Sequence, residues 1–145
     1  SYLLNEFSAA YLLAQMESAE MINTDRLRVW NNYYRAFTPL KERGVDLPFV
    51  PTHCSHNAHM FYLKVKDIEE RSRLIAFLKE RSILAVFHYI PLHSAPAGKM
   101  FGEFRGVDRY TTKESERLLR LPIYCGMSED DQSKVIDVVN DFFKK

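Results

Sequence analysis

The chain has 145 residues, 46% hydrophobic and 27% charged, which suits one globular domain and excludes wholesale disorder. Lys plus Arg number 20 against 19 Asp plus Glu, and with no basic excess or basic stripe nothing argues for nucleic-acid binding. Two cysteines, Cys54 and Cys125, form no disulfide framework and point to a reduced, cytoplasmic setting, while no apolar run has the length to cross a bilayer and no leader pattern opens the chain.

The opening "SYLLNEFSAA" lacks an initiator methionine and reads as the continuation of something longer. From Asn5, a suitable cap, to about Met21 the residues predict a helix that is apolar almost all round, with Phe7, Tyr11, Leu12, Leu13 and Met16 leaving no clean polar face. Such a helix has to be covered on several sides, so a missing domain or a second subunit is expected to lie against it. Thr24 or Asp25 starts or renews the helix, which carries the stripe Leu27, Trp30, Tyr34, Phe37 and stops near Pro39. Residues 41–56 read as a connecting loop punctuated by Gly44, Pro48 and Pro51.

A strand is predicted over His59–Val65, then a helix capped by Asp67 and Glu70 that buries Ile68, Leu74, Ile75 and Leu78. "ILAVFHY" reads as a short strand buried on both faces, followed by a loop of about twenty residues holding Pro91, Pro96 and three glycines. Thr111 with Glu114 has the form of a capping box and opens "TKESERLLR" as a helix; "LPIYC" is expected to be the third strand. Ser128 caps the last helix, whose inner face is Val135, Val138, Val139 and Phe142. The expected fold class is α+β: a helical arm over residues 1–40, then a small αβ domain over 41–145 with helices packed on a three-stranded sheet.

Three constellations carry chemistry. Cys54, His56 and His59, with His88 and His93 to complete a set, offer zinc ligands, but structural zinc sites show tighter paired spacing, and surface or capping histidines are the simpler reading. Covalent catalysis by Cys54 or Cys125 needs a base and an orienting group that nothing here spells out, and Cys125, after a short strand, suits a small buried hydrophobe. The third is "VFHYIPLHSAP". Pro91 holds Ile90 extended, so His88 and Ile90 are expected to point one way and Tyr89 the other from a rigid strand end. An imidazole and a phenol fixed there suit gripping hydroxyls or a diphosphate, or equally satisfying loop carbonyls.

The stretches "SYLLNEFSAAYLLAQME", "NAHMFYLKV", "VFHYIPLHSAPAG" and "RYTTKESERLLRLPIY" resemble, in order and over essentially the whole chain, the C-terminal part of the sugar-nucleotide aminotransferases of the DegT/DnrJ type. The resemblance implies a fold-type I pyridoxal-phosphate enzyme, a homodimer, that moves an amino group from glutamate to C4 of a dTDP-4-keto-6-deoxyhexose. The cofactor's lysine lies in the family's large N-terminal domain and no lysine here matches it, so the resemblance implies no catalytic residue in this chain and no activity for it alone. Ser1 falls where relatives place an asparagine that reaches the cofactor phosphate of the neighbouring subunit, although Leu3 replaces a basic residue common there. His88 and Tyr89 match the family's sugar-nucleotide-lining pair, His93 ends the same motif, and His59 matches a histidine with a structural role. The resemblance also puts the apolar first helix at the link between domains and near the dimer contact. The alternative is a non-enzymatic interaction or dimerisation module that docks through that helix.

Overall fold

A computed structural model describes residues 3–144. The elements in chain order are α1 (Glu6–Glu17), α2 (Ala19–Phe37), a 3-10 turn (Thr38–Arg43), β1 (Phe61–Lys64), α3 (Ile68–Lys79), β2 (Val86–Phe87), α4 (Pro96–Phe101), α5 (Thr111–Arg117), β3 (Leu118–Leu121) and α6 (Glu129–Lys144). The sheet is antiparallel with order β1-β3-β2, and Phe61, Tyr62, Leu63 and Lys64 face Leu121, Arg120, Leu119 and Leu118 across the central pair. Helices cover one face of it, the α+β arrangement expected.

The inner face follows from strand alternation. Phe61, Leu63, Leu119 and Leu121 are buried, and their neighbours Tyr62, Lys64, Leu118 and Arg120 point to the other side. Against the inner face pack Val29, Trp30, Tyr33 and Phe37 of α2, Leu74 and Leu78 of α3, and Val135, Val139 and Phe143 of α6. Thus α2 belongs to the core layer, and the part that stands apart from it is α1, which buries no residue: Phe7 is 91% exposed and Tyr11 71%. Asn5 does cap α1, its side chain accepting from Ser8 N–H at 2.8 Å.

Several boundaries move from their expected places. The break between the first two helices falls at Ser18, not at Thr24 or Asp25. Asp25 lies inside α2 and spends its carboxylate on tertiary work, accepting from Arg28 at 2.9 Å and from Gly126 N–H at 2.6 Å. Its pKa is held below the ordinary carboxylate value, chiefly by the Gly126 bond and then by Arg28. The innermost aromatic of α2 is Tyr33, not Tyr34, because its hydroxyl donates across the core to the Pro122 carbonyl at 2.9 Å. The α6 face is likewise rotated. Gln132 is buried there, donating to the Val29 carbonyl at 2.7 Å and accepting from Asn32 at 3.1 Å, and Val138 and Phe142 sit at its margin. Ser128 caps α6 as expected, its Oγ accepting from Asp131 N–H at 3.1 Å. Asp67 caps α3 through Glu70 N–H at 2.9 Å, but Ile68 stays 37% exposed.

The third strand is the largest correction. "LLRL" is strand rather than helix end, because Leu119 and Leu121 alternate into the core while Pro122, without an N–H, ends the ladder. The helix before it stops at Arg117, whose guanidinium bonds the Val65 carbonyl at 2.7 Å and the Asp46 carboxylate at 2.9 Å. Its cap comes from Asp108, which accepts from Thr111 N–H at 2.8 Å and Thr112 N–H at 3.1 Å, so Thr111 and Glu114 form no capping box. Cys125 lies in the turn beyond the sheet and is exposed, not buried. β2 is a two-residue edge strand with Val86 and Phe87 both exposed; Ile83 and Ala85 just before it are buried, and the strand expected to be buried on both sides is not.

Candidate functional site

The face of the sheet opposite α2, α3 and α6 holds a cluster of polar side chains. Tyr62 and Lys64 reach it from β1, Leu118 and Arg120 from β3, and Val86, the cross-strand partner of Arg120, from β2. The alternation that sends Val86 outward does the same for His88, just past the strand end. There the chain bends away. Pairing with β3 stops at Phe87, so nothing imposes the alternation further, and Tyr89 does not take the opposite side as expected. Its ring instead lies against His88, centroids 3.7 Å apart, and the peptide joining them is cis.

His88 and Tyr89 form one wall of a hollow of about 470 Å³, with Pro91 beside them. Met60 and Tyr62 line the floor, and Thr111, Glu114 and Ser115 close the far side. Lys64 donates to Glu114 at 2.7 Å, and the same carboxylate receives Arg117 at 3.5 Å; the carboxyl is held below its ordinary pKa first by the Lys64 bond. Arg120 is placed differently. The centre of its guanidinium stands 5.7 Å from the Tyr89 ring centroid, and it enters no ion pair among the described residues. A larger groove, about 640 Å³, runs between α3 and α6 over Phe77 and Phe142 and holds none of the expected site residues.

Burial, then the Arg120 charge and then His59, hold the His88 imidazole below its ordinary 6.5. At pH 7 the ring is therefore neutral and offers one donor and one acceptor. Because the fold favours the neutral ring, its contribution to stability is complete above pH 6.5 and is lost as pH falls through the lower folded value. Arg120→Gln should raise the His88 pKa towards 6.5, read by following its ring protons in an NMR pH titration against the parent chain. An unchanged midpoint would separate the two side chains electrostatically.

His93 is drawn away from the hollow. It faces Asp108 at 3.0 Å and the Thr112 hydroxyl at 3.3 Å, and stacks on Phe104 at 4.5 Å, so it latches the loop to the start of α5. Asp108, bonded first by Thr112 and then also by Thr111, keeps its carboxyl below the ordinary value. Ser1 lies outside the described residues. His56 packs edge-on against Trp30 at 4.5 Å and accepts from Ala58 N–H at 3.3 Å, while Cys54 is exposed. Among the described residues, no three Cys, His, Asp or Glu side chains are grouped to hold a metal ion. No helix among them is long and apolar enough to cross a membrane.

The family model that matches residues 1–140 is that of the DegT/DnrJ/EryC1/StrS aminotransferase family. The chain belongs to this family. The spore coat polysaccharide biosynthesis protein SpsC of Bacillus subtilis is 32% identical over 99% of the chain. A DegT DnrJ EryC1 StrS aminotransferase from Brucella abortus matches 94% of it at 28% identity and TM-score 0.80. DesV of S. venezuelae, solved with a ketimine intermediate, shares the fold over 98% of it at TM-score 0.87 and 24% identity. The chain spans 38%, 35% and 37% of those three proteins' lengths.

Within this aminotransferase frame, sequence reasoning missed Tyr62, Lys64 and Arg120. The signal existed for the first two, since a strand that buries Phe61 and Leu63 must turn Tyr62 and Lys64 outward. Arg120 was hidden by the assignment of residues 118–120 to a helix.

Proposed function

We propose that this chain serves as the sugar-nucleotide-binding C-terminal part of a pyridoxal-phosphate-dependent aminotransferase that moves the amino group of glutamate to C4 of a dTDP-4-keto-6-deoxyhexose. Formation of dTDP-4-amino-4,6-dideoxygalactose, a sugar of enterobacterial common antigen or lipopolysaccharide synthesis, is the specific reaction its motifs resemble. Family membership over residues 1–140 supports the reaction class. The observation that carries the site is the wall of His88 and Tyr89, ring centroids 3.7 Å apart, beside a hollow that also holds Tyr62.

Pyridoxal phosphate, the cofactor of this family, supplies the electron sink for amino transfer. The described residues do not make its site by themselves. The lysine bordering the hollow, Lys64, is committed to an ion pair with Glu114 at 2.7 Å. The cofactor's lysine therefore comes from outside the described residues. What this chain contributes is grip. A neutral His88 gives one N–H and accepts one hydrogen bond, the phenols of Tyr89 and Tyr62 do the same, and ring faces give a nucleotide sugar apolar surface to lie on.

In the intact enzyme, His88→Ala and Tyr89→Phe should each weaken binding of the dTDP-sugar. A net hydrogen bond to a hydroxyl contributes about 0.5–1.5 kcal/mol, which corresponds to about two- to tenfold in Kd, measured by calorimetry alongside turnover. Parent-like affinity and turnover in both variants would remove the pair from the sugar site.

A second reading rests on α1. With no buried residue and Phe7, Tyr11 and Met16 exposed, this helix suits docking to another domain or to a second subunit of a homodimer. Light scattering on the 145-residue chain addresses it. Self-association that disappears when Phe7 and Tyr11 become polar supports a dimer surface, and a monomer at every concentration counts against it.

A further inference from the structure

The arginines of this fold are, with few exceptions, tied down. Arg26 donates to the carbonyls of Ala58 and His59, Arg28 to Met127, Arg71 to Ser115, and Arg117 to Val65 and Asp46. Arg120 sits in the middle strand, on the face opposite the α2, α3 and α6 layer, with Tyr62 and Val86 as its cross-strand neighbours. Its Nε is buried and bonded to nothing, and so is Nδ1 of His88. Arg71 Nε on α3 is a third such atom among the described residues, but Arg120 of β3 and His88 just past β2 are neighbours whose charges interact, and an unpartnered buried atom costs most on a charged group. Arg120 lines the depression adjoining the hollow, with His59, Met60 and Val86, and the hollow's own carboxylate, Glu114, is already shared by Lys64 and Arg117. The Tyr89 ring 5.7 Å away steadies the guanidinium but supplies no anionic oxygen.

We infer that Arg120 is the anion-gripping residue of this face, taking diphosphate oxygens of the nucleotide sugar while His88 and Tyr89 take its neighbouring hydroxyls. This rests on the reading of the hollow as a sugar-nucleotide site. A planar guanidinium with parallel N–H groups matches a phosphate edge two bonds at a time, which a lysine at the same position does not.

Three oxyanions share the required chemistry: the nucleotide diphosphate, the glutamate carboxylate and the cofactor phosphate. In the intact enzyme, affinities of parent, Arg120→Gln and Arg120→Lys are measured for dTDP, inorganic pyrophosphate, glutamate and pyridoxal phosphate at two salt concentrations. The expected result is a loss of about tenfold or more for dTDP and pyrophosphate in Arg120→Gln, with partial recovery in Arg120→Lys. A flatter dependence of log Kd on log salt should accompany it, which a purely structural arginine would not produce. Glutamate and pyridoxal phosphate should bind as before. A loss confined to either of those two overturns the diphosphate assignment. So does a set of Kd values all within about twofold of the parent beside a lowered melting temperature, because Arg120 then pairs with a carboxylate of the protein. If pyrophosphate binding depends on Arg120 while no dTDP-sugar is bound or aminated, the anion grip stands and the sugar-nucleotide reading falls.

Discussion

Phe61→Ala should cost the chain about 3–5 kcal/mol of folding stability, the usual range for emptying a buried aromatic position. Phe61 is fully buried at the start of β1 and is the point where sheet and α2 meet. Its ring centroid lies 5.5 Å from Trp30, 5.2 Å from Tyr33 and 6.0 Å from Phe37, so three successive aromatics of one helix face rest on it. Those rings cannot all close in on an alanine, because Tyr33 is anchored by its bond to the Pro122 carbonyl and Trp30 is wedged against Tyr34 and His56. Most of the cavity should persist. For a domain whose whole stability is about 5–15 kcal/mol, that loss is about a fifth or more of the total. Urea denaturation is the measurement, with a lowered midpoint at constant m-value as the expected outcome. A change under about 1 kcal/mol would mean that the α2 aromatics do not rest on this ring.

Five of the six helices were legible in the sequence because each carries its own evidence, whereas α4 lies in the stretch expected to be loop. Asn5, Asp67 and Ser128 are local capping residues, and the apolar faces of α2, α3 and α6 repeat at helical spacing. Where these faces point to within a residue was not legible, because Tyr33 and Gln132 are buried through bonds to Pro122 and Val29, distant in sequence. The sheet was half legible. β1 alternates visibly, but "LLRL" contains too few residues to show whether its period is two or three and a half, and only pairing with β1 on one side and β2 on the other decides for strand. That one ambiguity concealed Arg120. The apolar character of α1 was plain, and its bare surface follows directly from it. As for the site, His88 and Tyr89 could be named from their motif, but their mutual stacking depends on where the β2 ladder stops, which is a tertiary fact.

The second large effect is expected at Gly98, in α4, which packs on the turn after Pro91. A Cβ on this residue would stand 1.6 Å from the Leu92 carbonyl oxygen and 2.6 Å from its carbon, a backbone clash that no rotamer change relieves. Leu92 belongs to a tight turn, in which Ser94 N–H and Ala95 N–H both donate to the Pro91 carbonyl at 3.0 Å. Pro91 in turn stands beside Tyr89 in the hollow. Gly98→Ala must therefore push α4 off the turn or push the turn, and with it Pro91, towards the site. Overpacking of this kind costs about 1–3 kcal/mol. The latch of His93 onto Asp108 at 3.0 Å holds the far end of the turn, so the displacement should be concentrated between residues 91 and 102 and leave the α2–sheet core intact. Hydrogen exchange should show lost protection in that segment alone, together with weakened dTDP-sugar binding in the intact enzyme. Gly102→Ala is the control: its Cβ would come no closer than 3.0 Å to the Gly98 carbonyl, a contact that a shift of a few tenths of an ångström relieves. Equal effects of the two substitutions would show that the loop does not depend on the Gly98 approach and does not position the Tyr89 wall.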